Sequence, residues 1–304
     1  MNLLSDLAEA SAAVTERAGT SVVSLGRDRR GSGVVIGVGR VLTNAHNLRD
    51  RTTTVTFVDG RTADASVTGW DLDGDLAVLE VDTTGAAAIE WPEQLHQLAP
   101  GTPVFALANP GGRGLRATFG TVSAVGQSFR GPRGRRVTGA IEHTAPLGRG
   151  SSGGPAVDLE GRFLGLNTSR VGDGFYLAVP ADAELRRRVD ALGRGESPTR
   201  VRLGVGLAPS QVANRLRASV GLPEREGLLV QSVEDGGPAD RAGLRRGDLI
   251  VEVAGKPVSK ADDLMDTLEG LTPDATLALT AVRGVEEMAV SVRFEGEVRT
   301  EGSA

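Results

Sequence analysis

The chain of 304 residues has no cysteine, which excludes disulfide scaffolds, thiolate nucleophiles and Cys-ligated metal sites. Histidine is almost as scarce. His46, His96 and His143 are too scattered to suggest a metal centre, and neither a metal nor another cofactor is expected. Aromatic residues are only 3% of the chain, so the cores must be built from Val, Leu, Ala and Ile. Lysine occurs only as Lys256 and Lys260, and a formal net charge of -5 gives no general attraction to nucleic acid or anionic lipid. No apolar run approaches the roughly 20 residues that span a bilayer. Asp6 and Glu9 stand where a secretory peptide would carry its apolar run. As it stands the chain is expected in the cytoplasm; an incomplete or processed N-terminus would shift the expectation to the periplasm or cell exterior.

Glycine, by contrast, is abundant at 42 residues, and it punctuates many short β-type runs. Leu3, Leu4, Leu7, Ala10 and Val14 recur at helical spacing and predict an amphipathic helix over 2–17. Between Ser21 and Val179 the runs SVVSLG, GVVIGV, TTVTFV, ADASVTGW, LAVLEV, PVFALA, RATFGTVSAVG, RFLGLN and FYLAVP predict an all-β domain. Residues 181–200 begin helical and end rich in Gly, Ser and Pro, so a first domain is placed at 1–186 and a linker at 187–200. Alternating strand-like and helical segments predict a small α+β domain over 201–296, with a tail at 297–304.

The strongest chemical signal is the turn Gly150-Ser151-Ser152-Gly153-Gly154-Pro155. A serine that attacks an amide needs an exposed Oγ, and the developing oxyanion needs backbone N–H groups aimed at it; small neighbours permit both. Gly150, Ser151 and Ser152 are the candidate oxyanion hole, with the N–H groups of Gly150 and Ser152 as donors. A Ser/Gly surface turn is the plain alternative for this string alone. His46, at the end of the apolar strand RVLTNAH, is the best-placed base, whereas His96 and His143 read as solvated or packed rings. Asp75 opens the apolar strand LAVL and can orient the imidazole, while Asp71 and Asp73 read as turn formers.

The order His, Asp, Ser, together with GSGVVI (31–36), LTNAH (42–46), DGRTADASVTGWDLDGDLAVLEV (59–81), ALANPGG (106–112), GTVSAVG (120–126), GRGSSGGP (148–155) and GLNTS (165–169), resembles the HtrA family of trypsin-fold proteases. The resemblance implies a chymotrypsin-like double β-barrel with the triad His46, Asp75 and Ser152 in the cleft between two six-stranded barrels. GLLVQSV (227–233), GPADRAGL (237–244) and GDLIVEVAG (247–255) resemble a PDZ domain. There Leu203, Gly204, Val205 and Gly206 would bind a peptide carboxylate and residues 260–270 would form the flanking helix. Unfolded or damaged proteins are the implied substrates, peptide C-termini the implied PDZ ligands, and a homotrimer the implied assembly, with Leu3, Leu4 and Leu7 replacing the family's N-terminal aromatics.

Several positions depart from the family. Ser151 and Arg149 replace the usual Asn and Pro, and Thr144-Ala145-Pro146 replaces Asp-Ala-Ala. Pro146, six residues before the serine, carries no charge to select basic side chains. Leu147, Tyr176 and Leu177 imply a small apolar primary pocket. Four arginines within 127–136 occupy the family's sensor loop and read equally as a solvated basic loop. Two rival readings stand beside the protease: a peptide-binding scaffold or chaperone that leaves its substrates uncut, and an esterase, for which the GxSxG elbow is missing.

Overall fold

Alternation of apolar and polar residues settles most of the strands. In TADASVTGWD, for example, Ala65, Val67 and Asp71 are buried while Thr62, Asp64 and Ser66 are exposed, the period of two that a strand with one inward face requires. The computed structural model describes residues 2–26, 30–93, 95, 98–130, 136–172, 174–198 and 201–294. The chain divides into two units, Met1–Pro198 and Thr199–Ala304.

The first unit opens with α1 (Leu3–Ala18). Strands β1 (Val22–Leu25), β2 (Gly31–Gly37), β3 (Arg40–Thr43), β4 (Thr52–Phe57), β5 (Thr62–Asp71) and β6 (Leu76–Glu80) close a barrel in the order β1-β2-β3-β6-β5-β4. Strands β7 (Pro103–Ala108), β8 (Arg116–Arg130), β9 (Arg136–His143), β10 (Pro155–Val157), β11 (Phe163–Val171) and β12 (Phe175–Pro180) close a second, β10-β11-β12-β9-β8-β7. Val23, Leu25, Val41, Val55 and Leu79 fill the first barrel, and Val104, Val122, Ile141 and Ala178 the second. A third cluster joins Val34, Leu42 and Leu76 of the first barrel to Leu107, Phe163 and Leu166 of the second. Val14 and Ala18 of α1 and Leu185, Val189 and Leu192 of α2 (Ala183–Gly193) complete it. Each large side chain so buried stabilises the fold by about 1.5–3 kcal/mol.

Helix α2 runs through the first half of the segment read as linker, because Leu185, Val189 and Leu192 keep an apolar stripe facing the core. Asp182 caps it, its Oδ1 accepting the Leu185 N–H at 2.8 Å, a contact worth about 1 kcal/mol. The arginine-rich segment is shorter than expected, since residues 127–130 continue β8 and Arg136 starts β9; Arg133 and Arg135 lie outside the described residues. So does His96. In α1, Leu7 packs against the unit's own core, while the side chains of Leu3 and Leu4 are not among those described. No described helix is long and apolar enough to cross a membrane.

The second unit is a sheet of β13 (Val205–Ala208), β14 (Leu228–Val233), β15 (Leu249–Val253), β17 (Thr276–Arg283) and β18 (Glu286–Arg293) in that spatial order, with β16 (Lys256–Pro257) paired to β15. Helices α3 (Ser210–Ser219), α4 (Pro238–Arg241) and α5 (Ala261–Glu269) accompany it. Its own core includes Leu203, Leu228, Val230, Ile250, Leu264 and Leu279.

Candidate active site

Strand β3 ends at Thr43, and the chain turns through one short 3-10 turn, Ala45–Asn47, that carries His46 at the barrel rim. Its side chain is 35% exposed, whereas that of Asp75 is 5% exposed. The imidazole Nδ1 lies 2.9 and 2.8 Å from the two carboxylate oxygens of Asp75, and the His46 backbone N–H donates to Oδ1 at 3.0 Å. Thr168 Oγ donates to Asp75 Oδ2 at 3.1 Å. A buried carboxylate has thus exchanged water for a full set of donors, the condition under which its burial is tolerable. Asp75 adopts φ +55°, uncommon for a residue with a Cβ, and its carbonyl is held by Asn44 Nδ2 at 3.0 Å. Because Nδ1 donates to Asp75, the neutral ring leaves Nε2 free to accept a proton.

Ser152 follows the loop that leaves β9, half-buried, with its Oγ donating to the Thr168 carbonyl at 3.0 Å. The first barrel clamps this loop. Ser32 N and Asn47 Nδ2 both donate to the Ser152 carbonyl, at 2.8 and 2.9 Å, and Ser32 Oγ donates to the Gly150 carbonyl at 2.9 Å. Gly153 sits at φ +86°, and a Cβ there would lie 2.2 Å from the Ser32 carbonyl oxygen, so the turn cannot carry a side chain at this point.

The N–H groups of Gly150 and Ser152 have no acceptor among the described residues, while Ser151 donates its own to the Gly148 carbonyl at 3.2 Å. Of the three candidate oxyanion-hole residues, only the outer two therefore keep a donor to offer. Tyr176 pairs with His143 and Leu177 with Glu142 along β12 and β9, and successive strand residues point to opposite faces. Tyr176 and Leu177 thus leave opposite faces of β12. Tyr176 stacks on the buried His143 ring, centroids 5.9 Å apart, and Leu147 is half-buried in the loop before the serine.

Ser32, Asn44, Asn47, Asn167 and Thr168 all fall within or beside the fragments that carry the family resemblance, yet nothing in their spacing marks them as parts of the site. Their roles depend on contacts between segments tens of residues apart.

In the second unit, β13 is an edge strand among the described residues, pairing there only with β14, as in Val205↔Val233 and Gly206↔Ser232. The Leu203 and Gly204 carbonyls are engaged by the N–H groups of Ala239 and Glu234, at 3.0 and 2.8 Å, which fixes the loop that precedes it. Half-buried Val205 and Leu207 of β13 and Leu268 of α5 border the same core. Among the described residues no cluster of three or more His, Asp or Glu side chains is arranged to hold a metal ion.

A trypsin-like peptidase domain matches residues 31–166 and a PDZ domain residues 201–294. The putative serine protease HhoA of Synechocystis sp. is 34% identical over 284 residues, which cover 88% of this chain and 72% of that protein. A probable periplasmic serine endoprotease, DegP-like, of Brucella suis is 34% identical over 275 residues, 86% of this chain but only 52% of the relative. The chain thus spans about half the length of that relative. Among solved structures, the HtrA-type protease AlgW with decapeptide has a TM-score of 0.66 and 25% identity, covering 94% of this chain and 98% of its own. Both domains and their order being matched, the chain belongs to the HtrA family of serine endoproteases.

Proposed function

We propose that the chain hydrolyses peptide bonds of unfolded or damaged proteins, with Ser152 as nucleophile, His46 as base and then acid, and Asp75 orienting His46. The observation that carries this reading is the His46 Nδ1 contact with Asp75, which leaves Nε2 as the basic nitrogen. The Ser152 hydroxyl turns from the Thr168 carbonyl to Nε2 and loses its proton as Oγ attacks the scissile carbonyl. The N–H groups of Gly150 and Ser152 receive the oxyanion. The imidazolium then protonates the leaving amine, and water hydrolyses the acyl-enzyme by the same steps. Among the described residues, Ser169 and Val171 of β11 pair only with β12, which supports an extended substrate adding to this end of the strand. A small apolar side chain is proposed for the primary pocket, beside Leu147.

Casein digestion by the purified protein tests this reading. Ser152→Ala or His46→Ala is expected to lower turnover by roughly 10⁴ to 10⁶. Equal cleavage by parent and Ser152→Ala would overturn it. The resting hydrogen bond of Ser152 to Thr168 rather than to His46 favours the scaffold reading, and a fluorophosphonate probe separates the two, since only an activated serine reacts. In the second unit, Leu203, Gly204, Val205 and Gly206 are proposed to receive a peptide C-terminus that extends the sheet beside β13. Peptides ending in a free carboxylate should bind more tightly than their amidated forms by fluorescence polarisation. The homotrimer is tested by light scattering. Fractionation of the native cells tests the compartment, for which the Brucella relative's name points to the periplasm.

A further inference from the structure

His143 is the one described histidine that the proposed chemistry does not use, and it is fully buried. It ends β9 and faces the interior of the second barrel, opposite Val122 of β8 and Tyr176 of β12. Its Nε2 meets Asn167 Oδ1 at 2.9 Å, and Asn167 is fully buried as well. His143 Nδ1 and Asn167 Nδ2 have no hydrogen-bond partner among the described residues. Apolar side chains of similar size would fill this volume and leave no polar atom unpaired, so the pair is a poor device for stability alone.

Its position gives it another use. The pairing of β11 with β12 runs Asn167↔Ala178 and then Ser169↔Leu177, so Thr168 is an extra, bulged residue without a cross-strand partner. Thr168 touches two of the three proposed catalytic residues: its carbonyl accepts the Ser152 hydroxyl and its own hydroxyl donates to Asp75. Asn167 braces the same turn through its backbone, accepting from Gly153 N–H at 2.7 Å and donating to the Gly154 carbonyl at 3.0 Å. A bulge bends its strand and is set by what packs on either side. Here the side-chain anchor on one side is His143.

We propose that His143, acting through Asn167, is a positioning residue that fixes the bulge at Thr168 and hence the alignment of Ser152 with the His46–Asp75 pair. This inference rests on the serine-protease reading, and the parent protein's own reaction with a fluorophosphonate tests that reading separately. In the parent background, His143→Leu and Asn167→Ala should each lower kcat on a peptide substrate by about 10- to 100-fold, the scale of a misplacement near 1 Å, with KM changed less than about twofold. The fluorophosphonate labelling rate should fall with kcat. The double variant should be no slower than the slower single, because both remove one coupling. His143→Gln, which can still reach Asn167, should recover most of the rate. If His143→Leu does not fold, Asn167→Ala and His143→Gln carry the comparison, with folding checked by thermal unfolding. A parent that labels, with kcat in the folded variants within twofold of its own or with losses that multiply, would overturn the inference.

Discussion

One hydroxyl, that of Ser32, holds two loops of the second barrel against the first: it donates to the Gly150 carbonyl and accepts the Asn109 N–H at 3.0 Å. Ser32→Ala should leave that N–H without its partner in a fully buried place, at a cost of about 1–3 kcal/mol in urea unfolding. It should also slow fluorophosphonate labelling, because Gly150 carries a proposed oxyanion donor. His143 makes a prediction about pH. Burial, only partly offset by the Asn167 contact, holds its pKa below the ordinary 6.5. The unfolded chain therefore takes up the proton first, and the stability associated with the neutral ring is complete above pH 6.5. It declines as pH falls from there through the lowered folded value. Thermal unfolding should show Tm falling across that window, and His143→Leu should flatten the decline; an unchanged slope would remove His143 as the cause.

At the scale of elements, α2 and β5 act as a unit. Arg188 of α2 donates to Asp71 Oδ2 at 2.7 Å, and Asp71 Oδ1 accepts Gly74 N–H at 2.7 Å in the turn that delivers Asp75. The carboxylate is 3% exposed, so Arg188→Met should destabilise the first unit by about 3 kcal/mol in urea and lower kcat as the turn loosens. Gly69 lets the helix this close: a Cβ there would lie 2.4 Å from the Leu192 carbonyl oxygen. None of this could be read from the sequence, where Asp71 looks like a turn former and Arg188 like one of many arginines. The strands were more legible, because period-two burial and Gly turns are local signals. Strands β9 and β10 are harder to read, since Gly139 and Glu142 interrupt the apolar pattern of β9 and β10 is only three residues long. His46, Asp75 and Ser152 were legible because strand ends and a Gly-flanked serine carry local meaning. Thr168, Asn167 and Ser32 matter only through partners far along the chain.

For the whole molecule, each unit has its own core, and this predicts separable folding. A chain ending at Pro198 should remain folded and still react with the fluorophosphonate, and the isolated second unit should unfold in one cooperative transition by circular dichroism. Loss of folding in the first fragment would show that its core depends on the second.

The two strands proposed to receive substrate and peptide, β11 and β13, also share a limitation. Each offers only main-chain pairing to an incoming segment, and a segment can accept that offer only while its own amides and carbonyls are unspent. A helix or a strand already inside a sheet has none to give. Edges of this kind respond to the absence of structure in a partner more than to its order of residues, a selection by conformation that lapses as soon as the partner folds.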